Sequence, residues 1–179
     1  MKCDKDIIAL QQHPGVTDVN NDIYASKELK DLVVIVLAAV IESGLALEYA
    51  SIRLRGNIDV ALVAVAQSGL ALKYTSVGLR EDKEIVLAAV KYDGSALQYA
   101  SVELRDARKI VLAAVTHNSL ALEYASVDLQ GDRDIVLAAV TQYGLALEYA
   151  SVELKDDKDI VSAAVEQDGR ALEYNSDKN

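Results

Sequence analysis

The chain has 179 residues, 51% of them hydrophobic and 26% charged, with one proline and neither Phe nor Trp. That is enough for a sizeable buried core and too apolar for a disordered acidic tail. Lys and Arg total 18 against 28 Asp and Glu, a formal charge of -10, which argues against a nucleic-acid partner because affinity for phosphates rests on clustered cations. One cysteine, Cys3, excludes an internal disulfide framework and fits a reducing compartment.

At the N-terminus, Ile7 to Leu10 is too short an apolar stretch for a signal peptide. The longest apolar run, Leu32 to Ile41, has ten residues, whereas a spanning helix needs about 20. No membrane insertion is expected. The expected location is cytoplasmic, with delivery to a host cytosol by a route that needs no cleaved signal peptide left open.

From residue 24 onward the chain repeats itself. Ala38-Ala39-Val40 recurs as Val63-Ala64-Val65, Ala88-Ala89-Val90, Ala113-Ala114-Val115, Ala138-Ala139-Val140 and Ala163-Ala164-Val165, always 25 residues apart. A tyrosine keeps the same step from Tyr24 to Tyr174, and a serine from Ser26 to Ser176. The reading is a single continuous domain: residues 1–30 as an N-terminal capping partial repeat, broken at Pro14-Gly15, and residues 31–179 as six tandem repeats.

Each unit reads as two short helices. The first opens on a capping Asp or Asn: Asp31, Asn57, Asp82, Asp106, Asp132 and Asp157. Where the usual cap position holds Leu32 or Ala107, the cap is expected to slide back by one residue, to Asp31 or Asp106. The apolar block that follows covers more than one helix face. Gly44, Gly69, Gly94, Gly144 and Gly169 are then expected to stop the helix in the left-handed conformation, with Ser119 as the exception. The second half, such as Leu145 to Ser151, alternates as a strand would. Ala, Leu and Glu, with Ala146 and Ala150 four apart, favour helix.

In the last unit Ser162, Arg170, Asn175 and Asp177 replace residues that are small or apolar elsewhere. A terminal repeat meets water on its outer side, so these columns are expected to face the following repeat. The fold class is therefore all-α, an α-solenoid of stacked two-helix repeats with capping units at both ends.

A unit that reads Asp, basic, acidic, Ile-Val, Ala-Ala-Val, Gly, Ala-Leu-acidic-Tyr-Ala-Ser, Leu-Arg resembles a domain family of unknown function built from tandem short helical repeats. Asp82 to Arg105 and Asp157 to Ser176 carry the pattern, and the resemblance covers residues 24–179. Such repeats occur in effector-type proteins of intracellular bacteria and in protists. The resemblance implies a binding scaffold, one acting in a host cell among the settings it suggests, and brings no catalytic residue with it.

No constellation for catalysis converges. His13 and His117 lie far apart in a linear stack, and the serine column has no histidine column beside it. Its expected role is to bond local backbone. The acids around Asp128 to Asp134 lack the glutamate that a calcium loop needs at its twelfth position. No metal, cofactor or catalytic residue is assigned, and the expected partner is a protein. The tyrosine column reads as packing between layers, with an exposed binding strip as the alternative.

Two surfaces stand out. Val33, Leu37 and Ile41, beside Ile58, Leu62 and Ala66, make an apolar stripe where the third repeat has Lys83, Leu87 and Lys91. Either Ile7, Ile8 and Leu10 cover this stripe, or it is an association patch through which the N-terminal repeats form a homo-oligomer. The second surface is the turn before each mid-repeat glycine, where the units differ most. Gln67, Tyr92, His117, Gln142 and Tyr143 fall there and form a candidate recognition ridge, with His117 the titratable member. The competing reading is that these turns vary because nothing constrains them. The overall function read from the sequence is a non-catalytic protein-binding scaffold, with a self-associating structural module as the alternative.

Overall fold

The computed structural model describes residues 32–175. The proposed N-terminal cap, Cys3, His13, Asp31 and Asp177 lie outside the described residues. Within them, one pattern recurs: a ten-residue α-helix, a six-residue 3-10 helix and a four-residue α-helix. In the third repeat these are Lys83–Tyr92, Gly94–Tyr99 and Val102–Arg105. The first four repeats and the fifth follow the same order, and the sixth is described through its 3-10 helix, Gly169–Tyr174. The long helix packs against the long helix of the next repeat, and the 3-10 helices stack likewise, so the array is an all-α solenoid.

The second helical half of each unit is thus composite. Its 3-10 portion puts residues three apart on one face, so Gly144, Leu147 and Ala150 are buried together while Leu145 and Tyr149 are only half-buried. Leu47, Leu72, Leu97, Leu122 and Leu147 are fully buried at its centre. Ile85, Val86, Ala89 and Val90 of the long helix are buried, and the equivalent residues are buried in the second, fourth and fifth repeats as well. The tyrosine column packs against the core from Tyr74 to Tyr174, whereas Tyr49 of the first repeat is 47% exposed. Burial first, then the neighbouring Glu48 carboxylate, pushes the Tyr74 phenol above its ordinary value.

Serine ends one element and starts the next. Ser51, Ser101, Ser126 and Ser151 accept a hydrogen bond from the backbone N–H three residues on and so cap the four-residue helix. The same column links the repeats by main chain. Ser76, Ser101, Ser126 and Ser151 donate their N–H to the carbonyls of Arg55, Arg80, Arg105 and Gln130, each at 2.9 Å.

The glycines have a different reason from the one expected. None has a backbone in the left-handed region. Each opens the 3-10 helix where it passes under the next repeat. A Cβ on Gly44, Gly69, Gly94 or Gly144 would lie 2.2, 2.4, 2.2 or 2.3 Å from the carbonyl oxygen of Ala64, Ala89, Ala114 or Ala164. Gly169, with no repeat described beyond it, has nothing within 4 Å. The column encodes close approach between repeats.

The caps also need one correction. Asn57, Asp82, Asp132 and Asp157 accept from the first-turn N–H groups of their long helices, but Asp106 does not. Ala107 occupies the N-cap position and makes no side-chain bond, while Asp106 accepts from the Ser126 hydroxyl at 2.5 Å. The cap of the fourth long helix is missing and has not slid back. Ala107→Asp is therefore expected to raise stability by about 1 kcal/mol, the usual value of a restored N-cap, and chemical denaturation checks it.

Candidate recognition edge

The ridge residues sit on one edge. Gln67, Tyr92, His117 and Gln142 are each the last residue of a long helix, in four successive repeats, and all four are exposed. Tyr143 is the next residue, in a column that caps the 3-10 helix in the third, fourth and sixth repeats but not through Ser43 or Ser68. There Asp93, Asn118 and Asp168 accept from the N–H groups of Ser95, Leu120 and Arg170. Tyr143 cannot do this and makes no cap bond. Tyr143 is 37% exposed and Tyr92 58%.

One junction differs from the others. At the fourth repeat Ser119 replaces the close-approach glycine, and the long helices of the fourth and fifth repeats pack less closely than those of the other pairs. An open cleft of about 310 Å³ lies there, lined by His117, Asn118, Ser119, Leu120, Gln142 and Tyr143. Asn118 fixes its wall, donating from Nδ2 to Ser95 Oγ at 2.7 Å while its Oδ1 accepts from Leu120 N–H at 3.0 Å. The structure thus brings His117, Gln142 and Tyr143 to one cleft. Tyr92 and Gln67 lie further along the same edge and do not line it. Ser119 was legible as an exception in the glycine column, but its effect required knowing what that column does.

The N-terminal stripe is open to solvent over the described residues. Val33 is 37% exposed, Ile41 54% and Ile58 54%, while Leu37 is half-buried. Whether Ile7, Ile8 and Leu10 cover it falls outside the described residues.

A third surface was missed. Ile52, Val77, Val102, Val127 and Val152, each the first residue of a four-residue helix, are 61–79% exposed. This is the column in which Asp177 stands in the last unit, and it faces solvent where it was expected to face the next repeat. The signal was present in the sequence: a β-branched residue directly after a capping serine has poor helix propensity and no reason of local structure to recur.

Charge links neighbouring repeats at the starts of the long helices. Arg108 reaches Asp132 at 2.8 Å and Asp134 at 2.6 Å, and Arg133 reaches Asp159 at 2.7 Å. The Arg108 hydrogen bond holds Asp132 below the usual carboxylate range, the Ile160 N–H does so for Asp157, and Arg170 does so for Asp168. Groups with a depressed folded pKa contribute stability that is present above the unfolded value and lost as pH falls through the folded one. The melting temperature should be level from neutral down to about pH 5 and fall below about pH 4. Among the described residues no three His, Cys, Asp or Glu side chains gather as a metal would require, and no helix is long and apolar enough to cross a membrane.

The family model of a domain of unknown function (DUF4116) matches residues 35–80, 82–130 and 132–178, each match spanning about two of the 25-residue repeats. No curated protein and no solved structure matches the chain.

Proposed function

The chain belongs to the DUF4116 family, and we propose that it is a non-catalytic scaffold that binds a partner protein along the edge where its long helices end. The observation that carries this reading is the cleft at the fourth junction, where an exposed tyrosine, a histidine and a glutamine converge on a site opened by Ser119. Tyr143 is exposed beside this cleft and makes no local cap bond. Tyrosine is a frequent interface anchor, and polar neighbours set its orientation. The partner we have in mind is a cytosolic protein, of the chain's own cell or of a host.

The test is a triple change of Tyr92, His117 and Tyr143 to Ala, compared with the unaltered chain in affinity capture and in a melting curve. We expect captured partners to be lost with little change in melting temperature, since all three side chains are exposed. Unchanged binding by a folded variant overturns the reading.

A further inference from the structure

The packing around Ser119 leaves its hydroxyl without a partner. Ser119 is 6% exposed, and its side chain makes no hydrogen bond among the described residues. In the glycine column the Cβ direction leads to the next repeat; at Gly94 an added Cβ meets the Ala114 carbonyl oxygen at 2.2 Å. Ser119, in the same column, carries its side chain toward the junction of the fourth and fifth repeats, where the cleft of about 310 Å³ lies. A buried hydroxyl is costly without a bond, so its partner has to enter through the cleft.

The groups around that hydroxyl are mostly acceptors. The long helices Arg108–His117 and Arg133–Gln142 both end at the cleft. Among the described residues no main-chain N–H reaches the carbonyls of Val115, Thr116 and His117, or those of Val140, Thr141 and Gln142. Two helix C-termini, each a negative pole, thus border one opening. The Asn118 carboxamide is already engaged by Ser95 and Leu120. The Ser119 hydroxyl, the Gln142 carboxamide, the His117 imidazole and Tyr143 stay available, beside Leu120, which is 40% exposed. Of the residues that line the cleft none is Lys, Arg, Asp or Glu. Arg170 comes within electrostatic reach of Tyr143, but Asp168 holds it at 2.7 Å, and Glu173 lies within its reach as well. One repeat to either side, the column of Thr116 and Thr141 holds Lys91 and Glu166, which offset each other. No unpaired cation borders the site.

Resting on the reading of this edge as the binding edge, we propose that the cleft receives an arginine side chain of the partner protein. A guanidinium carries several N–H donors in one plane, for the Ser119 hydroxyl, the Gln142 carboxamide oxygen and the open helix-end carbonyls. Its flat face stacks on the Tyr143 ring, and its aliphatic stem packs along Leu120. A carboxylate would meet the negative ends of two helices in a chain of net charge -10. An aliphatic side chain would leave the Ser119 hydroxyl without its bond. A lysine brings the charge as a single point and lacks the plane of donors.

The probe is acetyl-Gly-Gly-Arg-Gly-Gly-amide, titrated into the full chain and followed by amide chemical shifts, at about 0.15 M salt so that distant surface charges are screened. Saturable shifts at Ser119, Leu120, Gln142 and Tyr143, with a dissociation constant of about 1 mM, are expected. The same peptide with lysine should bind about fivefold more weakly, and with citrulline, which keeps the shape without the charge, about tenfold or more. Ser119→Gly restores the usual residue of the column and lets the repeats close, so the shifts should vanish while the melting temperature holds or rises. Ser119→Ala keeps the Cβ that parts the repeats and should weaken binding about tenfold through the lost acceptor. The proposal is overturned by the absence of saturable shifts up to about 20 mM, by equal binding of the citrulline peptide, or by shifts spread over the exposed acids without favouring the cleft. Undiminished binding to Ser119→Gly overturns it too, and a lysine peptide that binds as tightly overturns the choice of arginine. The scaffold reading is decided separately, by whether the triple change of Tyr92, His117 and Tyr143 loses captured partners.

Discussion

Gly94→Ala should lower the stability of the chain by about 3 kcal/mol, at the upper end of what overpacking a well-filled site costs. The added Cβ would lie 2.2 Å from the Ala114 carbonyl oxygen and 2.9 Å from the Asn118 Cβ. The first is backbone and the second is fixed by two hydrogen bonds from its own side chain, so the repeats must part. Gly169→Ala is the matched control. It occupies the same place in its unit with nothing within 4 Å, and should be neutral or stabilising by up to about 1 kcal/mol through reduced freedom of the unfolded chain. Urea unfolding of the two variants separates the explanations. Equal losses would mean that the glycines serve local backbone conformation and not the approach of neighbours.

Leu97→Ala should cost about 2–5 kcal/mol, the range for truncating a fully buried leucine, since no part of Leu97 meets solvent. The same change at Leu172, 37% exposed in the sixth repeat, should cost much less, about 1 kcal/mol. The difference follows from position in a one-dimensional stack, where an interior repeat has two neighbours and a terminal one has a single neighbour. Truncation at Leu97 should also flatten the denaturant transition, because the repeats on either side then communicate through a weakened unit. An equally steep transition would indicate that cooperativity does not run through the 3-10 layer.

The unbroken 25-residue step made the repeat architecture legible, since a period held without insertion requires each unit to present the same surfaces to its neighbours. The tyrosine column was readable as packing for the same reason, and it packs from Tyr74 onward but not at Tyr49. What the pattern could not reveal was direction in space. The glycines looked like helix stops because they follow helices, yet their purpose lies in the adjoining repeat, 20 residues further along. Asp106 looked like a displaced cap because it precedes Ala107; the structure gives it to the Ser126 hydroxyl instead. The aliphatic column from Ile52 to Val152 was expected to face the following repeat because Asp177 replaces it in the last unit, yet it faces solvent. Of the ridge, the cleft at His117, Gln142 and Tyr143 emerged only once Ser119 was seen to hold two repeats apart, a consequence of three-dimensional contact that no spacing records.

The fourth and fifth repeats are fastened unevenly. Arg108 clamps the starting ends of their long helices through Asp132 and Asp134, and the main-chain bond from Ser151 to the Gln130 carbonyl is kept at 2.9 Å. At the finishing ends, beside Ser119, the same two helices stand apart around the cleft. Two rods clamped at one end and packed more loosely at the other yield most easily through a change in the angle between them. The boundary between the first four repeats and the last two is therefore the least tightly packed in the array. The packing that sets the angle between these two blocks is thinnest at one junction only a few residues wide.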